Sequence, residues 1–249
     1  MSRKFADLHV RCDIGPDGEG LRSITRRARL LGFSLLAIPL SPGTTKKRLS
    51  ELKAIAEEEG IDLATRVDLA PTSRDELLSS LRRLRRKFEL IGVLCQNKRV
   101  ARVAARDRRV DLLSFSLEPR KRFFDRAEAE LASSSNCALE LDLMPLLELS
   151  VRERVRLLRR LRAEVALAEK EGIPIVISSG ATEAILMRKP RELAYLASEL
   201  FDMSLEEALD ALSKRPLEIV ERNRAKLSPN FIAPGIRLIR RGRDCPLER

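Results

Sequence analysis

The chain has 249 residues, of which 44% are hydrophobic and only 4% aromatic, with no Trp, so it can bury a sizeable core and that core must be aliphatic. Lys and Arg outnumber Asp and Glu by 48 to 37, a net charge of +11, which points to a polyanionic partner, nucleic acid first. Four scattered cysteines, one histidine and no CxxC pair argue against a disulfide framework or a structural zinc site.

In chain order, a strand is expected at 5–10, a helix at 20–31, a strand at 33–39, a helix at 45–59 and a strand at 61–68. The alternation continues with a helix at 74–86, strands at 88–94 and 110–115 around a helix at 97–106, and a helix at 120–134. It closes with strands at 137–143 and 173–178 around a helix at 151–171, then helices near 182–188, 190–201 and 204–225. Helix starts are marked by Ser73-x-x-Glu76, Ser150-x-x-Glu153 and Ser204-x-x-Glu207, each with the form of a capping box. Gly32, Gly60 and Gly172 follow helices where a left-handed residue is wanted.

Seven strand–helix repeats with short links predict an α/β, TIM-barrel-like barrel of about seven parallel strands with outer helices. No GxGxxG follows the first strand, which argues against a dinucleotide-binding sheet. Residues 1–230 are expected to form one barrel domain, with 231–249 a basic C-terminal tail carrying Arg237, Arg240, Arg241 and Arg243. No apolar run approaches the roughly 18 residues of a membrane span, and no signal-peptide core opens the chain. The chain is therefore expected to be cytoplasmic and away from membranes. One Gln and four Asn in a sequence of 34% charged residues lean toward a thermophilic source.

Function in such barrels gathers at the C-terminal ends of the strands. The expected mouth residues are Asp7, His9 and Arg11, then Arg66 and Asp68, then Asp111, Ser114 and Ser116, then Glu140 and Asp142, and last Ser178, Ser179 and Gly180. Asp7-Leu8-His9 resembles the opening motif of the polymerase-and-histidinol-phosphatase (PHP) family, seven-stranded barrels that hold metal clusters with many histidines. Here the motif's second histidine is Arg11, and His9 is the only histidine in the chain. One imidazole with scattered carboxylates is a poor multi-metal set, so no metal and no catalytic residue is expected on this chain. A carboxylate site for Mg²⁺ from Asp7, Asp111, Glu140 and Asp142, serving a phosphoesterase, is the alternative. A barrel enzyme cradling a small anion on Ser178-Ser179-Gly180 is a third reading.

A PHP-like barrel without its histidines resembles the archaeal ribonuclease P protein component 3 family, homologous to the thirty-kilodalton eukaryotic subunit. The resemblance spans roughly 3–225 and rests on ADLHV (6–10), TRVDL (65–69), RRVDLLSFS (108–116), RFFDRAEAELA (122–132), ALELDLMPLL (138–147), IPIVISSGA (173–181) and RKPRELAYLASELFDMS (188–204). It implies a subunit that supports the catalytic RNA, which cleaves precursor tRNA to make the mature 5′ end. It also implies Mg²⁺ held by that RNA, protein component 2 and other protein subunits as partners, and only indirect contact with precursor tRNA.

Residues 74–109 hold twelve Lys or Arg against four Asp or Glu. From that stretch Arg99, Arg102, Arg106 and Arg109 are expected to meet RNA, whereas Arg82, Arg83, Arg85 and Arg86 fit an ordinary solvated helix face equally well. Lys46, Lys47, Arg48, Arg66, Arg120, Lys121, Arg122, Arg188 and Lys189, at strand ends and in loops, complete the expected RNA-binding set. Arg11 is expected to pair with Asp7 or Asp13, with a phosphate contact as the alternative. The shortage of aromatics disfavours base stacking and favours structured RNA read through its backbone.

Overall fold

The computed structural model describes residues 3–233 and 236–238. Strands β1 (Phe5–Asp7), β2 (Phe33–Pro39), β3 (Asp62–Leu69), β4 (Leu90–Leu94), β5 (Leu112–Ser114), β6 (Ala138–Asp142) and β7 (Ile175–Ser178) pair in parallel and in sequence order. Helices α1 (Glu19–Leu31), α2 (Lys46–Glu58), α3 (Arg74–Leu84), α4 (Lys98–Arg106), α5 (Arg126–Ser133), α6 (Met144–Glu148) and α7 (Val151–Lys170) link them. After β7 come α8 (Pro190–Phe201), α9 (Leu205–Ala211), α10 (Lys214–Leu227) and a hairpin of β8 (Phe231–Ala233) with β9 (Ile236–Arg237). The seven-stranded sheet curls into a nearly closed barrel. Its seam is bridged just past β1 and β7, where Gly180 N donates to His9 O (2.9 Å) and Arg11 N to Ala181 O (2.8 Å).

Strand side chains alternate between the two faces, and this alternation builds the interior in two layers. Ala64, Leu90, Leu112, Ala138 and Val176 form an apolar layer, with Ile219 and Val220 of α10 closing the bottom. Two residues further along each strand stand Arg66, Gly92, Ser114, Glu140 and Ser178, so the next layer is polar. The outward faces pack against the helices in a larger aliphatic core.

Local signals decide most helix ends. Ser150 with Glu153 and Ser204 with Glu207 close complete capping boxes. At α3 only half forms. Ser73 Oγ accepts from Glu76 N, while the Glu76 carboxylate turns to Thr72 N (2.8 Å) and Thr72 Oγ1 (3.0 Å). Gly32, Gly60 and Gly172 all have positive φ, as their positions after helices require.

Three expectations change. The helix expected at 120–134 begins only at Arg126, where Asp125 caps Glu128 N (3.0 Å), and residues 119–121 form a separate 3₁₀ turn. Residues 182–188 contain only the short turn Ala184–Leu186. The single helix expected at 204–225 is two, because the Leu212 carbonyl at the break accepts from Ala6 N of β1 (2.9 Å) and turns α10 beneath the barrel. Of the expected basic tail, Arg240, Arg241 and Arg243 lie outside the described residues.

Candidate functional site

The polar layer is centred on Arg66, whose side chain and that of Glu140 are each only 1% exposed. Arg66 Nη2 donates to Glu140 Oε2 (2.6 Å), Nη1 to Glu140 Oε1 (2.5 Å) and to Leu8 O (2.6 Å), and Nε to Asp68 Oδ1 (2.7 Å). Ser114 Oγ (2.8 Å) and Ser178 Oγ (3.1 Å) supply the remaining donors to Glu140. Gly92 leaves room for this fork: a Cβ there would collide with the Asp68 carboxylate and lie 2.9 Å from Arg66 Nη2. Fork-to-fork pairing of this kind is the geometry arginine makes and lysine does not.

His9 sits on the rim, with Nε2 3.1 Å from Asp68 Oδ2 and Nδ1 2.9 Å from Asp142 Oδ2. Burial and the Arg66 charge oppose its protonation, but the Asp142 and Glu140 carboxylates outweigh them and raise its pKa to about 9. A histidine raised from 6.5 to about 9 on folding contributes stability that is fully present below 6.5 and lost as pH rises through about 9. The contribution is on the order of 3 kcal/mol. Because His9 is the only histidine in the chain, its imidazole resonances can be followed by NMR without ambiguity. We expect a titration midpoint near 9, and a midpoint at or below the ordinary value would contradict the arrangement. Asp7, fully buried at the seam, accepts from His9 N (3.2 Å) and Ser179 N (3.1 Å) through Oδ1. Its pKa is raised, chiefly by burial.

His9, Glu140 and Asp142 each bring one ligand atom within 4.8 Å of the others, the arrangement a cation would ask for. The donor chemistry does not fit one. Both Glu140 oxygens are held by Arg66 and the two serines. Both His9 nitrogens are engaged by carboxylates, Nε2 by Asp68 and Nδ1 by Asp142. A guanidinium already supplies the positive charge at the centre.

Several expected site residues prove to have other roles. Asp111 is not at the mouth. It precedes β5 at the opposite end of the barrel, where it accepts from Ile91 N (2.9 Å), Arg85 Nη1 (2.5 Å) and Asn223 Nδ2 (2.8 Å). Arg66 is buried with its guanidinium engaged by Glu140 and Asp68, and Arg122, also buried, pairs with Glu164 of α7 (2.6 Å), so neither presents a free guanidinium at the surface. Arg109 folds back onto Asp107 (2.6 Å). Arg11 donates to the Gly180 carbonyl (3.2 Å) in place of an aspartate, so it joins the seam. Arg48 is half-buried and donates to Pro16 O (2.9 Å), and Arg102 is held by Asp125 (3.0 Å). Lys46, Lys47, Arg99, Arg106, Arg120, Lys121, Arg188 and Lys189 are exposed, as an RNA-binding role requires.

The sequence reading did not find Asn223, Arg222 and Arg224 of α10, which tie the bottom of the barrel to Asp111, Glu89 and Asp62. Their spacing on α10 marks only a polar helix face, so nothing local announces the contacts.

A family model described as RNase P subunit p30 matches residues 4–228. Ribonuclease P protein component 3 of Methanococcoides burtonii is 30% identical, covering 95% of this chain and 94% of its own. The protein of the same description from Methanothermobacter thermautotrophicus is 29% identical over 95% of this chain and 96% of its own. A chain from the cryo-EM structure of archaeal ribonuclease P with mature tRNA has the same fold, with a TM-score of 0.83 at 22% identity over 96% of this chain and 100% of that one. With the match running along almost the whole barrel, the chain belongs to the ribonuclease P subunit p30 family, whose archaeal relatives are the protein components 3.

Proposed function

We propose that this chain is a protein subunit of archaeal ribonuclease P that supports the catalytic RNA and carries none of the chemistry itself. The observation that supports this most strongly is Arg66. It sits in the barrel mouth where the related metal enzymes gather ligands, and it neutralises Glu140 and Asp68 from within. The mouth is thereby a structural plug, and the excess positive charge is left on the outside, where RNA phosphates are met. The partners are the ribonuclease P RNA, protein component 2 and the other protein subunits, with precursor tRNA reached through the assembly. The relative with the same fold comes from a particle with mature tRNA, and the charge of +11 suits the same setting. No helix among the described residues is long and apolar enough to cross a membrane.

Precursor-tRNA cleavage tests the reading. The RNA subunit and component 2 are supplied in moderate Mg²⁺, with this chain added or omitted, and the chain is also run alone. We expect a rate gain of about tenfold or more from the chain in the assembly, equivalent to roughly 1.4 kcal/mol, and no turnover by the chain alone. Hydrolysis by the chain alone that EDTA abolishes would overturn it.

A further inference from the structure

Four arginines converge between α3 and α4. A cleft of about 620 Å³ is lined by Arg74, Arg99, Arg102 and Arg106, with Thr72 and Ser73 at its edge. Asp75 is the one carboxylate among its lining residues. Arg99, Arg102 and Arg106 lie at i, i+3 and i+7, one face of α4. A rise of about 1.5 Å per residue spreads Arg99 and Arg106 over about 10 Å, enough to reach more than one phosphate.

The cleft is braced by contacts that leave Arg74, Arg99 and Arg106 unengaged. Asn97 caps α4 through Oδ1 to Val100 N (2.9 Å), and its Nδ2 donates to Thr72 O (3.0 Å), fastening the start of α4 to the start of α3. Asp125 positions Arg102 from the far side (3.0 Å). Arg74, Arg99 and Arg106 have no carboxylate partner among the described residues. Arg22, Arg26 and Arg48, elsewhere on the surface, are paired with Glu58, Glu59 and Glu51. At the start of α3 Ser73 Oγ accepts from Glu76 N, and the Glu76 carboxylate accepts from Thr72 N. The open valence of the cleft is guanidinium, whose fork matches phosphate oxygens. No aromatic lines it, so it suits a sugar–phosphate backbone and not stacked bases.

We propose that the α3–α4 cleft is a phosphodiester-binding site for structured RNA, with Arg74, Arg99 and Arg106 as its contacts and Arg102 as its fixed floor. The proposal rests on the reading of the chain as a ribonuclease P subunit and says where on the barrel that RNA is held.

The test is binding of labelled ribonuclease P RNA by the full protein assembly across a series of KCl concentrations. Three forms of this chain are compared: wild type, the triple variant Arg74→Gln/Arg99→Gln/Arg106→Gln, and a control triple Arg152→Gln/Arg156→Gln/Arg159→Gln on exposed positions of α7. The cleft variant is expected to bind about tenfold more weakly, with the salt slope lowered by roughly 2–3. The control, which removes the same charge, is expected to keep the wild-type slope. Thermal melts of all three should coincide, because every altered side chain is exposed. A wild-type slope in the cleft variant, or equal losses in both triples, would overturn the site. So would unchanged RNA affinity with loss of a partner protein, which would make the cleft a dock for an acidic protein face. If the wild-type assembly itself fails to bind the RNA, the functional reading falls along with the site.

Discussion

Replacing Arg66 by methionine is expected to lower the stability of the fold by about 3–5 kcal/mol, read as a fall in denaturant midpoint with an unchanged slope. The side chains are of similar length, so packing is largely kept and the loss is electrostatic. Glu140 and Asp68 would stay in the barrel without the guanidinium that now answers both. A buried carboxylate stripped of its partner is costly, whereas removing both members of a pair is much less so. Adding Glu140→Gln to the methionine variant should therefore recover a substantial part of the loss. A cost below about 1 kcal/mol, the range of exposed pairs, would mean that the pair does not organise the mouth. Arg66→Lys should fall between, since an ammonium cannot hold Glu140 through two parallel bonds.

Asp111→Ala is expected to cost about 3 kcal/mol, which for a chain of this size is a drop of roughly 6–12 °C in melting temperature. Asp111 is 1% exposed and joins three separate elements at the barrel bottom. Its Oδ2 takes Ile91 N and Arg85, and its Oδ1 takes Asn223 and Arg222 of α10. Alanine would remove the carboxylate that joins α10 to β4, leaving the ties through Glu89, and would leave two arginines turned toward an empty position. Asp62 supplies the comparison. It pairs with Arg224 at 2.6 Å but is about half exposed, so Asp62→Ala should cost less than about 1 kcal/mol. Equal losses at both sites would show that burial does not separate them.

Asp111 could have been placed from the sequence. The apolar run at 110–115 identified the strand, and Asp111 stands second in it, at the N-terminal end that in a parallel barrel lies opposite the mouth. The capping serines were legible because a cap needs only a partner three residues away. Arg66 and Arg122 were read by residue type, as phosphate binders, because their partners stand 74 and 42 residues further along. Nothing local distinguishes an arginine that turns inward from one that faces solvent. The missing histidines were legible as composition, and they pointed away from a histidine-rich metal cluster at the mouth. What filled that space became visible only when distant strands were brought side by side.

Those separations also bear on the order in which the barrel is completed during synthesis. A chain emerging from the ribosome folds from its N-terminal end. Arg66 must wait for Glu140, His9 for Asp142 another 133 residues on, and the seam for Gly180 and Ala181. Until then Arg66 has only Asp68 and the Leu8 carbonyl to answer it. A fragment truncated before β6 lacks Glu140, Asp142 and the seam partners Gly180 and Ala181, and is expected to remain open and protease-sensitive.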